Sequence, residues 1–281
     1  MTNIDQQLRQ IANMLLLNGT LVDCPGLIHG KTGIAMFFFF YARYTGKRLF
    51  EDYALDLIGK IQEQIHINSP ADYEKGIAGI GTGIDYFIKN NFLDAEDDIF
   101  DDFDQKMYCA VMYDLWLDLS LYNGLAGYGR YWISRMYKQT SSTQARECLL
   151  YITGRIKNTL PDISFTELSD VYCFLHDLKK ISGFDICSDL LEQCRKQSAD
   201  IIQSFYRLGD SATGSIIRMY QSKHYFGSVS QSEKDISLQQ IQELDMGKPP
   251  ASMGLLNGYA GEGMLRLTAL NQTDMLWMFL M

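Results

Sequence analysis

The sequence predicts an all-α chain folded as an (α/α)6 toroid, a barrel of about six helix hairpins whose inner helices are entered by Gly-x-x-Gly motifs. Three observations predict it. A glycine phrase recurs along the chain, an apolar run at helical spacing follows each copy, and a more polar helical run follows that. The phrase reads Gly-Leu-Ile-His-Gly-Lys-Thr-Gly-Ile-Ala at Gly26–Ala35. It returns as Lys-Gly-Ile-Ala-Gly-Ile-Gly from Lys75, Asn-Gly-Leu-Ala-Gly-Tyr-Gly from Asn123 and Asn-Gly-Tyr-Ala-Gly-Glu-Gly from Asn257. The motif glycines Gly30, Gly76, Gly124 and Gly258 are separated by 46, 48 and 134 residues. The last gap is close to three periods of about 45, so two middle units have lost their glycines. Units of this length bury their cores against their neighbours.

The elements follow in order. Residues 2–18 form an amphipathic helix on Ile4, Leu8, Ile11 and Leu15, not a signal peptide. Residues 31–44 form the first glycine-entered helix, and residues 49–67 pair with it through Leu55, Ile58, Ile61 and Ile65. Residues 77–90 and 98–119 repeat the pattern, as do 125–138 and 143–158, the last after a Ser/Thr cluster. Counting by period places unit four near Ser169–His176 and unit five near Gly209–Ile217. Ser228–Glu233 and Lys248-Pro249-Pro250 read as loops before a final unit that begins at Met253. A ring is preferred to an open array because glycine before a helix lets backbones crowd. The closing run Met275–Met281 is apolar, which suits docking on the first unit. One domain over residues 1–281 is expected.

Bulk properties exclude some functions. Apolar residues make up 47% of the chain, ample for a core, and the net charge of −9 argues against nucleic-acid or anionic-membrane partners. The apolar run Phe37–Tyr41 is too short to insert in a membrane. Cys24, Cys109, Cys148, Cys173, Cys187 and Cys194 show no CxxC spacing, so free thiols in a reducing cytoplasm are expected. The acidic run Asp94, Glu96, Asp97, Asp98, Asp101, Asp102, Asp104 reads as the N-terminal turn and solvated face of a helix, with a basic peptide segment or a metal ion as the alternative it could bind. Its spacing does not fit a calcium loop.

The phrase Gly254–Leu267 (Gly-Leu-Leu-Asn-Gly-Tyr-Ala-Gly-Glu-Gly-Met-Leu-Arg-Leu) resembles the last motif of the lanthionine synthetase C-like (LanC-like) family, and the three earlier phrases resemble its generic repeat. The resemblance implies an α/α toroid and work on peptides. In the family's best-known members zinc activates a peptide cysteine, whose thiolate adds to a dehydrated Ser or Thr to close a thioether ring; zinc binds and deprotonates thiols. The resemblance also places the family's ligands, two cysteines and a histidine, two residues and one residue before a motif glycine. Here the residues two before are Ile28, Glu74, Tyr122 and Leu256, and the residues one before are His29, Lys75, Asn123 and Asn257. None of the first set is a cysteine, and in the second set only His29 could bind zinc. Laid on the period, units four and five offer Glu167, Leu168, Arg207 and Leu208. An acidic position four before a glycine in some members is Ser120 here.

His29 is therefore the candidate catalytic residue, an acid or base near neutral pH, with a structural loop-capping role as the alternative. Lys75, Tyr122, Asn123, Asn257 and Glu262 are expected to line the same cavity mouth, although Asn is also a good helix cap. No cofactor is expected; zinc is possible, with Cys173 and His176 as weak ligand candidates one helical turn apart. The alternative for that pair is a buried thiol beside a hydrogen-bonded histidine. Three functions stay open. One is a metal-free peptide-binding or scaffold member, a pseudoenzyme whose partner is a peptide or protein of a peptide-modification system. The second is an active cyclase-like enzyme with non-standard zinc ligands, adding a thiol to a dehydroamino acid. The third is a carbohydrate-active toroid using carboxylates such as Asp85, Asp210 or Glu262, with Tyr122, Tyr128 and Tyr259 as sugar platforms.

Overall fold

A computed structural model describes residues 3–94, 99–113, 118–136, 142–197, 212–227 and 252–281. Its described elements are helical, in accord with the all-α expectation. They are α1 (Asn3–Asn18), α2 (Lys31–Thr45), α3 (Arg48–Gln64), α4 (Ile77–Lys89), α5 (Asp101–Tyr113), α6 (Leu125–Arg135), α7 (Ser142–Thr159), α8 (Phe165–Leu178), α9 (Ile186–Gln197), α10 (Ala212–Phe226) and α11 (Tyr259–Ala269). Short 3-10 turns lie at Gly19–Leu21, Leu160–Asp162 and Leu276–Leu280. No described helix is long and apolar enough to cross a membrane.

The chain divides into two compact units, one made of residues 1–69 with 208–281 and the other of residues 70–207. In the first unit α2 packs on α3 and on α11, and α11 packs on α1. The last glycine phrase of the chain therefore leads into a helix that lies against the first. Arg266 of α11 is fully buried and donates from Nε to Gln7 Oε1 of α1 at 3.0 Å. The closing 3-10 turn packs on α10, where Gln221 donates to the carbonyls of Met278, at 2.6 Å, and Met281. Trp277 is buried and donates from its ring nitrogen to Thr268 Oγ1 at 3.0 Å.

In the second unit α6 packs on both α4 and α8, and α5, α7 and α9 lie against them. The first two glycine-entered helices are the most apolar: α2 buries every residue from Lys31 to Ala42, and α4 every residue from Ile77 to Phe87. Their partners bury one stripe, as α3 does with Phe50, Ala54, Leu57, Ile58 and Ile61.

Three expectations change. The helix expected over 98–119 ends at Tyr113 in the described residues, and 118–120 lies outside any helix. Asp104 is not on a solvated face. It is buried and accepts from Tyr131 Oη at 2.5 Å and Arg135 Nε at 2.9 Å and Nη2 at 3.0 Å. The Arg135 guanidinium also lies 4.0 Å from the Phe100 ring centre. An acidic run gives no hint of which carboxylate meets a buried arginine of another helix. Ser169, where the count puts unit four, lies inside α8, which starts four residues earlier at Phe165. Residues 95–98, Gly209, Asp210, Ser228–Glu233 and Lys248–Pro250 lie outside the described residues, as do the expectations placed on them.

Candidate functional site

The glycine phrases build one local structure four times. The motif glycine is the N-cap of its helix, in extended conformation, with no side-chain cap. The first amide of each helix instead donates to a carbonyl seven residues back. Lys31 donates to Cys24 at 2.9 Å, Ile77 to Pro70 at 2.9 Å, Leu125 to Asp118 at 3.1 Å and Tyr259 to Ser252 at 3.0 Å. The lead-in loop is thus curled over the helix end and satisfies amides that would otherwise need water or a side chain. A Cβ on Gly124 would lie 2.6 Å from the Asp118 carbonyl oxygen and the Ser120 nitrogen, and one on Gly30 would lie 2.6 Å from the Gly26 nitrogen. The first glycine therefore makes room for its own lead-in loop rather than for a neighbouring helix.

Neighbouring loops are tied in register. Tyr73 and Glu74 donate their amides to the Tyr122 carbonyl at 2.9 and 3.1 Å, and Leu255 and Leu256 donate theirs to the Ile28 carbonyl at 2.8 and 3.2 Å. In both cases the donors lie three and two residues before a motif glycine, and the acceptor two before the neighbouring phrase's glycine. The second glycine of the receiving phrase makes room for this: a Cβ on Gly127 would lie 2.6 Å from Tyr73 Cβ, and one on Gly33 2.8 Å from Leu255 Cγ. A third glycine receives a ring from the adjacent helix. Gly81 faces Tyr131, Gly129 faces Phe174 and Gly263 faces Phe37.

This register locates unit four. Tyr131 and Phe37 each lie seven residues after their motif glycines, so Phe174 puts Glu167 in the glycine's place and Asp170 in the second glycine's. Unit four has no glycine loop. Only residues 160–164 separate α7 from α8, and α8 starts with a capping box in which Ser164 Oγ and the Glu167 amide, and Glu167 Oε2 and the Ser164 amide, bond reciprocally. The amides of the loop leading into α6 reach carboxylates instead of a carbonyl: Leu119 donates to Glu167 Oε1 at 2.8 Å and Leu121 to Asp170 Oδ2 at 2.9 Å. Burial alone would raise the Glu167 carboxyl, but bonds from Leu119 and Ser164 hold it below its ordinary value. Sequence reasoning met Glu167 only as an unsuitable zinc ligand and missed Asp170; the aromatic at a fixed offset was the available signal.

The expected mouth residues sit on these loops. His29 is half-buried in a turn, and a Cβ on Gly254 would lie 2.5 Å from its Cα, so the last lead-in loop is seated on it. Asn257, with φ 56°, takes the left-handed conformation that Asn tolerates. Lys75 and Asn123 are exposed; their amides donate to Asp72 Oδ1 at 2.7 Å and Ser120 Oγ at 3.4 Å. The position four before the glycine thus braces the turn. Tyr122 is half-buried and gives its carbonyl to the neighbouring loop. Glu262 departs from this set. It lies in the first turn of α11, 3.5 Å from Arg266 Nη1, with its side chain only 12% exposed. Burial pushes its carboxyl up, against the pull of Arg266.

The thiols do not gather. None of the six cysteines forms a disulfide. Cys24 gives its carbonyl to the first amide of α2, Cys109 lies on α5, Cys148 on α7, Cys187 and Cys194 on α9. Burial pushes Cys148 and Cys194 to about 12 and Cys187 to about 11, so all three are neutral thiols at pH 7. Cys173 is 2% exposed in α8, and among the described residues neither it nor Cys24 belongs to a group of three side chains able to share a metal ion. His176 Nδ1 lies 3.7 Å from Asp177 Oδ1. Burial would raise Asp177, but His176, Arg130 and Lys180, whose Nζ is 2.9 Å away, together hold it well below the carboxylate range.

With the register known, the places two and one before the glycine are Ile28 and His29, Glu74 and Lys75, Tyr122 and Asn123, Phe165 and Thr166, and Leu256 and Asn257. None is a cysteine, and no cysteine follows Cys194. These residues do not fit the zinc set that the resemblance implies. Tyr128 and Tyr259 are buried, at 1% and 6% exposed, and cannot serve as sugar platforms. No protein-family model and no curated protein sequence matches this chain.

Proposed function

We propose that this chain is a LanC-like (α/α)6 toroid that keeps the family's ring of hairpins without its metal, and that it binds a peptide, as substrate or partner protein of a peptide-modification system, at the mouth formed by its glycine lead-in loops. One packing pattern supports the ring. The last phrase packs on the first, Gly263 against Phe37, in the register that also relates α4, α6 and α8. The carrying observation for the metal-free reading is the chemistry of the ligand places, where His29 is the one imidazole and no phrase supplies a cysteine. Activating a peptide thiol needs a strong local positive charge or a base. His29 alone offers a weak base, so binding without ring closure is the activity these residues support.

The test uses a linear peptide carrying one cysteine and one dehydroalanine, incubated with the full chain. Hydrogen exchange and thiol alkylation are read together. Slower exchange at residues 26–30, 72–76, 120–124 and 254–258, with the thiol still alkylated, is the expected result. Loss of the alkylatable thiol would establish the cyclase alternative, and unchanged exchange across the loops would overturn peptide binding at the mouth.

A further inference from the structure

The two tied loop junctions and the exceptional third one differ in what accepts their amides. Where a glycine loop follows, the donating loop bonds to a main-chain carbonyl, Tyr122 or Ile28. Where α8 follows, the donating loop bonds to Glu167 and Asp170. A carbonyl in a curled loop is fixed by the loop itself. A carboxylate depends on its own side chain, and charge makes its hydrogen bond from an amide stronger than a neutral one. Asp118 sits in the same turn and takes the Ser120 amide at 2.6 Å, so three carboxylates brace residues 118–121.

We infer that Glu167 and Asp170 are positioning residues for the mouth: they hold the loop leading into α6, and with it Tyr122 and Asn123, in place of the glycine loop that unit four lacks. The inference rests on the reading of these loops as a binding mouth for its functional meaning, although its geometry stands without it. The hold extends one loop further, because the Tyr122 carbonyl in turn receives Tyr73 and Glu74. Glu167 has two tasks, since it also closes the capping box of α8 with Ser164. Asp170 stands outside the box, so it separates loop positioning from helix stability.

The experiment is amide hydrogen exchange on the full chain carrying Asp170→Ala, Asp170→Asn or no substitution. In Asp170→Ala the Leu121 amide is expected to exchange at least about tenfold faster, with a smaller rise at Tyr73 and Glu74 and no change inside α8 or α2. Asp170→Asn keeps an acceptor oxygen and is expected to restore most of the protection. An unchanged Leu121 amide in Asp170→Ala overturns the inference. So does an equal rise throughout α8, which would make Asp170 a structural residue of its own helix. If Asp170→Ala does not fold, Asp170→Asn against Asp170→Leu gives the same contrast. No peptide is used, so failure of peptide binding and failure of this inference are read separately.

Discussion

Helices α6 and α8 are neighbours in one unit, yet they begin and end by different means. The amide after the Gly124 N-cap of α6 is satisfied by its own lead-in loop. Helix α8 begins at Ser164 with a side-chain capping box and almost no loop. At the far end, Arg135 of α6 is locked to Asp104 of α5 in a buried pair, with side chains 2% and 6% exposed. Near the end of α8, Asp177 meets Lys180 with side chains 23% and 51% exposed. The contrast teaches that the glycine phrase is one of two solutions to the same problem of unpaired helix amides. Losing it calls for carboxylates and a serine, not merely for other residues. It also shows how a lead-in loop stays fastened beside a repeat that no longer carries the motif.

The largest effect is expected where α6 is fastened. Asp104→Ala leaves Arg135 buried without its counter-charge and is expected to cost about 3–5 kcal/mol, whereas Lys180→Ala at the end of α8, which removes a half-exposed cation from Asp177, stays within about 1 kcal/mol. Denaturant unfolding of both variants checks the difference. Next comes the start of each helix. Gly124→Ala puts a methyl against main-chain atoms that cannot rotate away, and a loss of about 1–3 kcal/mol is expected. The corresponding break at α8, Ser164→Ala, removes one cap and is expected to cost about 1 kcal/mol. Thermal unfolding in which Ser164→Ala is the more damaging of the two would contradict the roles given to the glycine N-cap of α6 and the capping box of α8.

The smallest expected effect is in acid. Glu167 has a folded-state value below its ordinary 4.5, so it adds stability that is present above about pH 4.5 and lost as pH falls through the lower folded value. Glu167→Gln is expected to flatten that part of the acid limb and to leave neutral-pH cooperativity unchanged. A variant whose acid limb matches the parent would show that the carboxylate bonds are not maintained in solution.

Much of the architecture was readable from periodicity. The starts of α2, α4, α6 and α11 follow their glycines directly, because a glycine N-cap and an apolar run at 3.6-residue spacing are local signals. Counting alone puts the motif place of α8 at Ser169, two residues past Glu167. A period measured on glycines drifts when a loop is deleted, and the register survives only in the packing of Phe174 on Gly129. Part of the candidate site was legible in the same way. His29, Lys75, Tyr122, Asn123 and Asn257 fall on the lead-in loops because each is defined by its distance from a glycine. Glu262 is committed to Arg266 because one turn of helix separates them, a pairing that the motif alone did not reveal. The roles of Asp104 and Asp170 were not legible because their partners are long-range in sequence.

The zinc content of the full chain, purified without a metal-binding tag, incubated with zinc and desalted, then read by elemental mass spectrometry, tests the proposed LanC-like scaffold without a thiol-activating metal. No stoichiometric zinc is expected, in the parent chain or in His29→Ala. About one zinc per chain, lost on substituting His29, Cys173 or His176, would contradict it.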